Sequence, residues 1–485
     1  MTAKPKGFPA LDTKEKDDLV DELTQYGLAN GLIMYPEGFR NFEADLAPLT
    51  IFPTPFPQSE FEKAKALSIP FSKLYGEIVF ERKWLIKIAE ELSTSDTGFT
   101  GKLYESYKKA KKEGIIQNVS LALTRSDYMF DTVSNQIKQV EYNTVSVSFA
   151  GLSQKVGEAH KYLNDSGLYE TSGKKYYKDS ELAISESPDG LAKGLGEATK
   201  YYNAHFTDAN NTIVLFVIQP KERNAFDQRL IEYSLLKNFG VRSKRVELTK
   251  FTSRVAVDKK TRRLYLDGNE VSVVYYRSGY SPSEYEQDAA WDARVLAETT
   301  TAIKCPSLLV QLSGAKKIQQ LLTIPQNLDK FYSRSSIWRK KLESTFCKIY
   351  PLDGSNQGQT AKKLAFEHPE NYVLKPQREG GGNNVYKEDI PGFLKSIPES
   401  QWAGYILMEL IHPPLEKNIL LRDGQLFNDG IVSELGIYNA SLLDESTGKI
   451  ISNSYGGHLL RSKISSSNEG GVAAGYGCVD SLYLY

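Results

Sequence analysis

Cysteine is nearly missing: Cys305, Cys347 and Cys478 are the only three in 485 residues. They lie far apart without CxxC spacing, which predicts neither a disulfide framework nor a zinc site but three reduced thiols. Histidine is scarce as well. His160, His205, His368, His412 and His458 form no HxxxH or HExxH pair, which argues against histidine-based metal chemistry. Net charge is absent, since 60 Lys and Arg balance 60 Asp and Glu. A neutral chain has no general pull towards nucleic acid or anionic membrane. The KKAKK run at Lys108 to Lys112 lacks aromatic interleaving and reads as a solvated helix face. No apolar run approaches the ~20 residues that cross a bilayer, and the start, MTAKPKGFPALDTKEKDD, has no apolar signal core. The expected address is cytoplasmic, with no nucleic-acid or membrane partner. Walker A (GKS or GKT) and GxGxxG motifs are missing, which disfavours P-loop and Rossmann nucleotide sites. Solenoid repeats and linker tracts are missing too, so any domains are packed closely.

What is present is an ordinary mixed composition: 40% hydrophobic, 11% aromatic and 25% charged. At roughly 150 residues per domain, about three units are expected. Asp12 and Glu15 form a capping box before an apolar stripe of Leu19, Val20, Leu23 and Tyr26, with Gly27 as the stop. Pro-rich FPTPFP reads as a loop, Phe61 to Thr94 and Tyr104 to Glu113 as helical. LALTRSDYMFD and IKQVEYNTVSVSF read as adjacent strands around a TVSN turn. The apolar run IVLFVIQ from Ile213 suits a strand buried on both faces of a parallel sheet, followed by a helix from Gln228 to Asn238. Arg254 to Tyr276 reads as a meander. Glu284 to Lys304 reads as one long helix, and Ser313 as the cap of the next. NYVLKPQ, YILMELI and NILLRDGQLFNDGIVSELGIY suggest one antiparallel sheet, with Asp423-Gly424 as a hairpin turn. NEGGVAAGYG reads as too flexible for a core strand.

The most informative stretch is KPQREGGGNNVY, Lys375 to Tyr386. Gly380, Gly381 and Gly382 offer backbone N–H groups without a Cβ in the way of phosphate oxygens. Lys375 ends the preceding strand, Glu379 offers a hard oxygen for Mg²⁺, and Asn383 and Asn384 add amide donors. A bare GGG is more often a flexible hairpin; the neighbouring Lys, Glu and Asn favour a phosphate loop. In EYN, Glu141 and Asn143 stand two apart and so share a strand face, as two oxygen ligands for Mg²⁺ would. On its own that pair equally describes a solvated strand face.

TRSDYMFD, EYNTVSVSFAGL, KERNAFDQR, YYRSGY, QLSGAKKIQQ, KPQREGGGNNVY, SELGIY and HLLRSKISSSNEGGVAAG occur in this order over about residues 121 to 475. Together they resemble eukaryotic-type glutathione synthetases. The resemblance implies an α/β (α+β) ATP-grasp fold with antiparallel sheets around ATP. It implies a body at 1–211, an inserted smaller α/β substrate-binding domain at 212–317, and a C-terminal part at 318–485 carrying two lids, at about 378–386 and 465–477. It further implies a homodimeric ligase that joins γ-glutamylcysteine to glycine through an acyl phosphate, with ATP and Mg²⁺. Metal ligands would be Glu141, Asn143 and Glu379. ATP contacts would be Lys316, Lys375, Gly380 to Asn384, Tyr386, Met408, Glu409, Glu434, Lys463 and Glu469. The peptide would meet Arg125, Ser146, Val147, Ser148, Glu222, Arg223, Asn224, Gln228, Arg277, Ser278, Gly279, Tyr280, Arg461, Val472 and Ala473. Arg125 and Arg461 are placed at the reacting centre, because a guanidinium fork suits phosphate and carboxylate oxygens. Glu469 stands where the family often has Asp, one methylene longer. The alternatives are use of β-alanine or serine instead of glycine, and a non-catalytic nucleotide-binding relative.

Overall fold

The computed structural model describes residues 5–170, 173–209, 211–379, 382–468, 472, 475 and 477–485. The first helix, α1 (Thr13–Ala29), is closed by the expected capping box of Asp12 and Glu15. It does not stop at Gly27. That glycine lies inside the helix, where a Cβ would overlap Leu46. The long helical stretch is two helices, α2 (Gln58–Phe80) and α3 (Arg82–Ser95), followed by α4 (Thr100–Glu113).

Next come β1 (Val119–Asp131) and β2 (Gln136–Asn143), paired antiparallel across the expected turn. The second expected strand ends at Asn143. Ser146 and Phe149 have positive φ, a conformation that breaks a strand and here turns the chain into α5 (Ala150–Asp165). Ile213–Ile218 is the anticipated buried strand, parallel to both Asn269–Tyr276 and Arg242–Glu247. The expected long helix is corrected to Asp288–Glu298. Ile303–Cys305 is instead a strand, parallel to Asn269–Tyr276 and to β1. The β-branched run Thr299–Thr301 and the extended residue that Pro306 requires at Cys305 explain the change. Ser313 closes the short helix Leu308–Ser313, which Ser307 caps, and Lys316–Leu322 starts after Ala315.

The C-terminal strands fall into two sheets rather than one. β3 (Tyr372–Pro376) and β4 (Tyr405–Glu409) pair antiparallel in a four-stranded sheet with Ile349–Pro351 and Val385–Tyr386. β5 (Ile431–Asp444) and β6 (Ile450–Ile464) join the large sheet, β5 pairing with β1 and β6 with β5. The Asp423-Gly424 turn forms as read, both residues at positive φ, linking Leu420–Arg422 to Gln425–Phe427. Past the glycine-rich stretch the chain is buried strand: Gly477–Asp480 pairs with β6, and Leu482–Leu484 pairs with Thr54–Phe56 inside the proline-rich segment read as a loop.

Two apolar cores flank the large sheet. One gathers Phe71, Tyr75 and Ile78 of α2 with Tyr142; the other gathers Leu152 and Val156 of α5 with Leu121 and Leu123. Tyr75 stacks on Tyr142 at 3.8 Å between centroids. Further along the strand face that Leu121 and Leu123 begin come Arg125, which reaches a cavity, and Asp127, buried beside it.

Candidate active site

Side chains two apart on a strand share a face, so the register of four neighbouring strands assembles the site. From β2 to β6 the paired positions are Asn143 opposite Arg125, Glu141 opposite Asp127, Gly436 opposite Asp127, and Glu434 opposite Arg461. This charged wall faces the four-stranded sheet across a cavity of about 460 Å³. From the wall, Arg125, Glu141, Asn143, Glu434, Arg461 and Lys463 line it. From the other side come Lys375, Asn384, Tyr386, Met408 and Glu409, together with apolar Val373, Leu410 and Ile411. Eleven of the residues expected from the sequence thus meet in one space.

Lys316 and Glu379 stand just behind. Lys316 Nζ donates to Glu141 at 2.8 Å, both groups being well shielded. Glu379 accepts from Thr144 N at 3.1 Å, from Thr144 Oγ1 at 2.8 Å and from Val145 N at 3.2 Å. Gly314 packs so closely here that a Cβ would overlap both Glu379 and Thr144 Oγ1. Gly382 and Asn383 follow in the loop, Gly382 at positive φ. Gly380, Gly381, Glu469 and Ala473 lie outside the described residues, as do Gly470, Gly471, Ala474 and Tyr476 of the second lid; Val472 is buried.

The remaining expected residues form a second polar cluster beside the cavity. Arg277 is 1% exposed, donates to Ser148 Oγ at 2.8 Å and to Val147 O, and lies 3.8 Å from Asp227. Asp227 accepts from Phe149, Gly151 and Leu152 N–H at 2.9, 2.6 and 3.2 Å, closing the N-terminus of α5. Glu222 accepts from Asn224 N at 2.8 Å and Gln228 Nε2 at 3.1 Å, while Arg223 Nε donates to Tyr35 O. Ser278 Oγ donates to Val217 O, and Gly279 and Tyr280 N–H to Glu284. The two clusters touch at Ser148, whose carbonyl accepts from Arg125 at 3.3 Å and from Tyr438 at 2.6 Å. None of this second set lines the cavity, apart from Arg125 and Arg461, which belong to both expectations.

The charges compensate one another. Burial pushes the Glu141 carboxyl up, but Lys316, Lys375 and Arg461 outweigh it and hold it well below the usual carboxylate range. Burial lifts Glu379 to about 7, against Lys316 and its Thr144 bonds, and it also raises Glu434 against Arg461. Lys375 is lowered by burial, which Glu141 only partly offsets. For Arg125, Asp127 overcomes burial and keeps the guanidinium charged. Arg125, Arg461, Lys316 and Lys375 face Asp127, Glu141, Glu379 and Glu434, a locally neutral set with cations directed at a cavity. Such a set can take an anionic ligand together with a divalent cation.

Asp127, Thr144, Asp227, Gly314 and Gly436 escaped the sequence reading. The alternation Arg-Ser-Asp in TRSDYMF puts Arg125 and Asp127 on one strand face, and this was a usable signal for Asp127. The two glycines matter through tertiary approach, which spacing does not carry.

A family profile described as eukaryotic glutathione synthase, ATP binding domain, matches residues 13–484. A glutathione synthetase large chain from Schizosaccharomyces pombe is 38% identical over 90% of this chain and 91% of its own. The glutathione synthetase of Homo sapiens is 36% identical, with 97% and 98% covered. Among solved structures, a glutathione synthetase-like effector from Globodera pallida in apo form superposes with a TM-score of 0.76 at 22% identity. It covers 99% of this chain and 100% of that one, and at that identity speaks for the fold.

Proposed function

The chain belongs to the eukaryotic glutathione synthetase family, and on that premise we propose how its cavity performs ATP-dependent ligation to glutathione. The observation that carries the reading is the convergence of Arg125, Arg461 and Lys375 with Glu141 and Asn143 in one space between two sheets.

A carboxylate resists amine attack because resonance stabilises it. Transfer of the ATP γ-phosphoryl group to the cysteinyl carboxylate of γ-glutamylcysteine gives an acyl phosphate with phosphate as a good leaving group. The glycine amine attacks this carbonyl, and the tetrahedral species expels phosphate. Such chemistry asks the protein for position and charge rather than for a nucleophile. Arg125 and Arg461 steady the reacting oxygens, and Lys375 the ATP phosphates. Lys316 acts one step back, fixing Glu141. Apolar Val373, Leu410 and Ile411, with Met408, offer the adenine a dry slot. The polar cluster around Arg277 and Asp227 holds the γ-glutamyl end, with residues 212–317 as the substrate-binding insertion.

Mg²⁺ suits this donor set. Glu141 stays ionised, and Asn143 turns its NH₂ to Asp127 at 2.9 Å, so its oxygen points elsewhere. Among the described residues no group of three or more His, Cys, Asp or Glu could hold a metal alone; Mg²⁺ commonly relies on one or two carboxylates plus substrate phosphates. When bound, the ion would neutralise charge on the transferring phosphoryl group. Glu379, behind the cavity wall on Thr144 and Val145, would be the third ligand of this set.

Glycine is our choice of amine over β-alanine or serine, with small residues at Val472 and Ala473 as support. The exposed apolar stripe Tyr233, Leu236 and Phe239 on one helix supports a homodimer. Three free cysteines fit a reducing, cytoplasmic setting. No helix among the described residues is long and apolar enough to cross a membrane.

The test is ADP release followed with each substrate omitted in turn. Release that requires both γ-glutamylcysteine and glycine is expected. Equal release without them indicates a plain ATPase and removes the reading.

A further inference from the structure

We propose that Asp127 is the positioning residue of the reacting centre, a carboxylate that aims Arg125 and ties it to Arg461 and Asn143. The inference rests on the ligase reading above.

Asp127 is 0% exposed and does not line the cavity, so it acts through its partners rather than on substrate. Its Oδ1 accepts from Arg125 Nε at 2.6 Å and its Oδ2 from the other arm of the same fork at 2.8 Å. Oδ2 also accepts from Asn143 Nδ2 at 2.9 Å and from an Arg461 terminal nitrogen at 3.2 Å. The donors come from β1, β2 and β6, three strands of one sheet. The intervening strand β5 contributes a gap. Gly436 sits opposite Asp127, and a Cβ there would lie 2.8 Å from Arg125 Cδ and 2.9 Å from Asp127 Oδ1. Every strand around Asp127 therefore either donates to it or makes room for it.

An arginine on its own is a poor preorganised donor, because several rotatable bonds separate the guanidinium from the backbone. Fork-to-fork pairing removes that freedom for Arg125. The same oxygen that finishes the fork also accepts from the second arginine, whose other bonds go to Glu434, and from the amide of the candidate metal ligand, so one group ties the three together. Transition-state stabilisation depends on such prior placement. A carboxylate is needed for this. An amide has one acceptor oxygen and an NH₂ that would face donors.

The experiment compares the full-length enzyme with Asp127→Asn, Arg125→Ala and the double variant, measuring kcat, the KM for each substrate, binding of a non-hydrolysable ATP analogue, and thermal stability. Expected for Asp127→Asn is a kcat loss on the order of 10²-fold, with ATP-analogue affinity within about threefold, since Met408 and Lys375 do not touch Asp127. In the double variant the two losses do not multiply, because Asp127 works through Arg125. A wild-type kcat in Asp127→Asn overturns the proposal. So does a multiplicative double loss, or a loss that merely tracks weakened ATP binding and stability, which marks a purely structural ion pair. Should Asp127→Asn fail to fold, Gly436→Ala decides, with reduced kcat at unchanged nucleotide affinity in favour and unchanged kcat against. Failure of the ligase reading is seen separately, as a wild-type enzyme that forms no glutathione.

Discussion

Gly314 shows how a residue without a side chain shapes a charged site. Glu379 leans on Thr144 across the glycine, and an added methyl would push the carboxylate from its three donors. Partners that orient a metal ligand typically change metal affinity by about 10–100-fold when lost. Gly314→Ala is therefore expected to raise the Mg²⁺ concentration for half-maximal rate by about tenfold, with kcat largely recovered at high Mg²⁺. An unchanged Mg²⁺ titration would remove Glu379 from the metal's surroundings. At this scale the sequence was legible wherever a residue brought its own chemistry. Glu141, Asn143 and Lys375 could be named from motif and alternation, Arg125 and Arg461 through the family resemblance. Asp127 had the same alternation signal through Arg125, whereas Gly314 and Gly436 had none, since their importance lies in what packs against them.

Among the elements, the base of the glycine-rich loop is held by the N-terminal helices. Arg378 donates to both oxygens of Asp96 at the end of α3, one bond at 2.9 Å, and its guanidinium lies 5.1 Å from the Phe99 ring centre. Thr100 N and Oγ1 also bond Asp96, at 3.2 and 2.5 Å. Arg378 precedes Glu379, so this pair anchors the loop beside the cavity. Asp96→Asn is expected to raise the KM for ATP about tenfold while costing about 1.5–3 kcal/mol of stability, the range for a charge-assisted hydrogen bond. A destabilised variant with wild-type KM would show that the pair serves the fold alone. Element types were readable where periodicity ran long, as in α1, β1 and the Ile213 strand. They failed where a short segment carried two patterns. The stretch to Lys304 holds a helix and a strand separated by three threonines, and EYNTVSVSF looks like a continuous strand although Ser146 and Phe149 turn it.

For the whole molecule, the two ends of the chain meet at Asp480. Its carboxylate accepts from Thr50 Oγ1 and Thr54 Oγ1 at 2.6 Å, from Ser462 Oγ at 2.5 Å and from Ser481 N at 2.7 Å. Burial lifts Asp480 to about 6 despite these bonds. The folded chain thus holds this proton more tightly than the unfolded one, whose Asp titrates near ~3.9. This group's contribution is greatest below pH ~4 and declines as pH rises towards 6, by about 3 kcal/mol, then stays level. Asp480→Asn removes that slope, since the three hydroxyls can reorient towards an amide. Denaturant unfolding from pH 4 to 7 should show the wild type losing stability relative to the variant across that window. Parallel curves would refute the shift. Pairing across more than 400 positions, as between Thr50 and Asp480, leaves no local trace, which is why no strand is read beyond NEGGVAAGYG.

The central claim is that distant segments build one site for a magnesium-bound triphosphate beside a peptide carboxylate. A crystal structure with Mn²⁺, a non-hydrolysable ATP analogue and γ-glutamylcysteine tests it most directly. Anomalous density should place Mn²⁺ on the Glu141 and Asn143 oxygens, with the γ-phosphate between Lys375 and the two arginines. Nucleotide bound away from those arginines, or a metal coordinated elsewhere, would contradict the account.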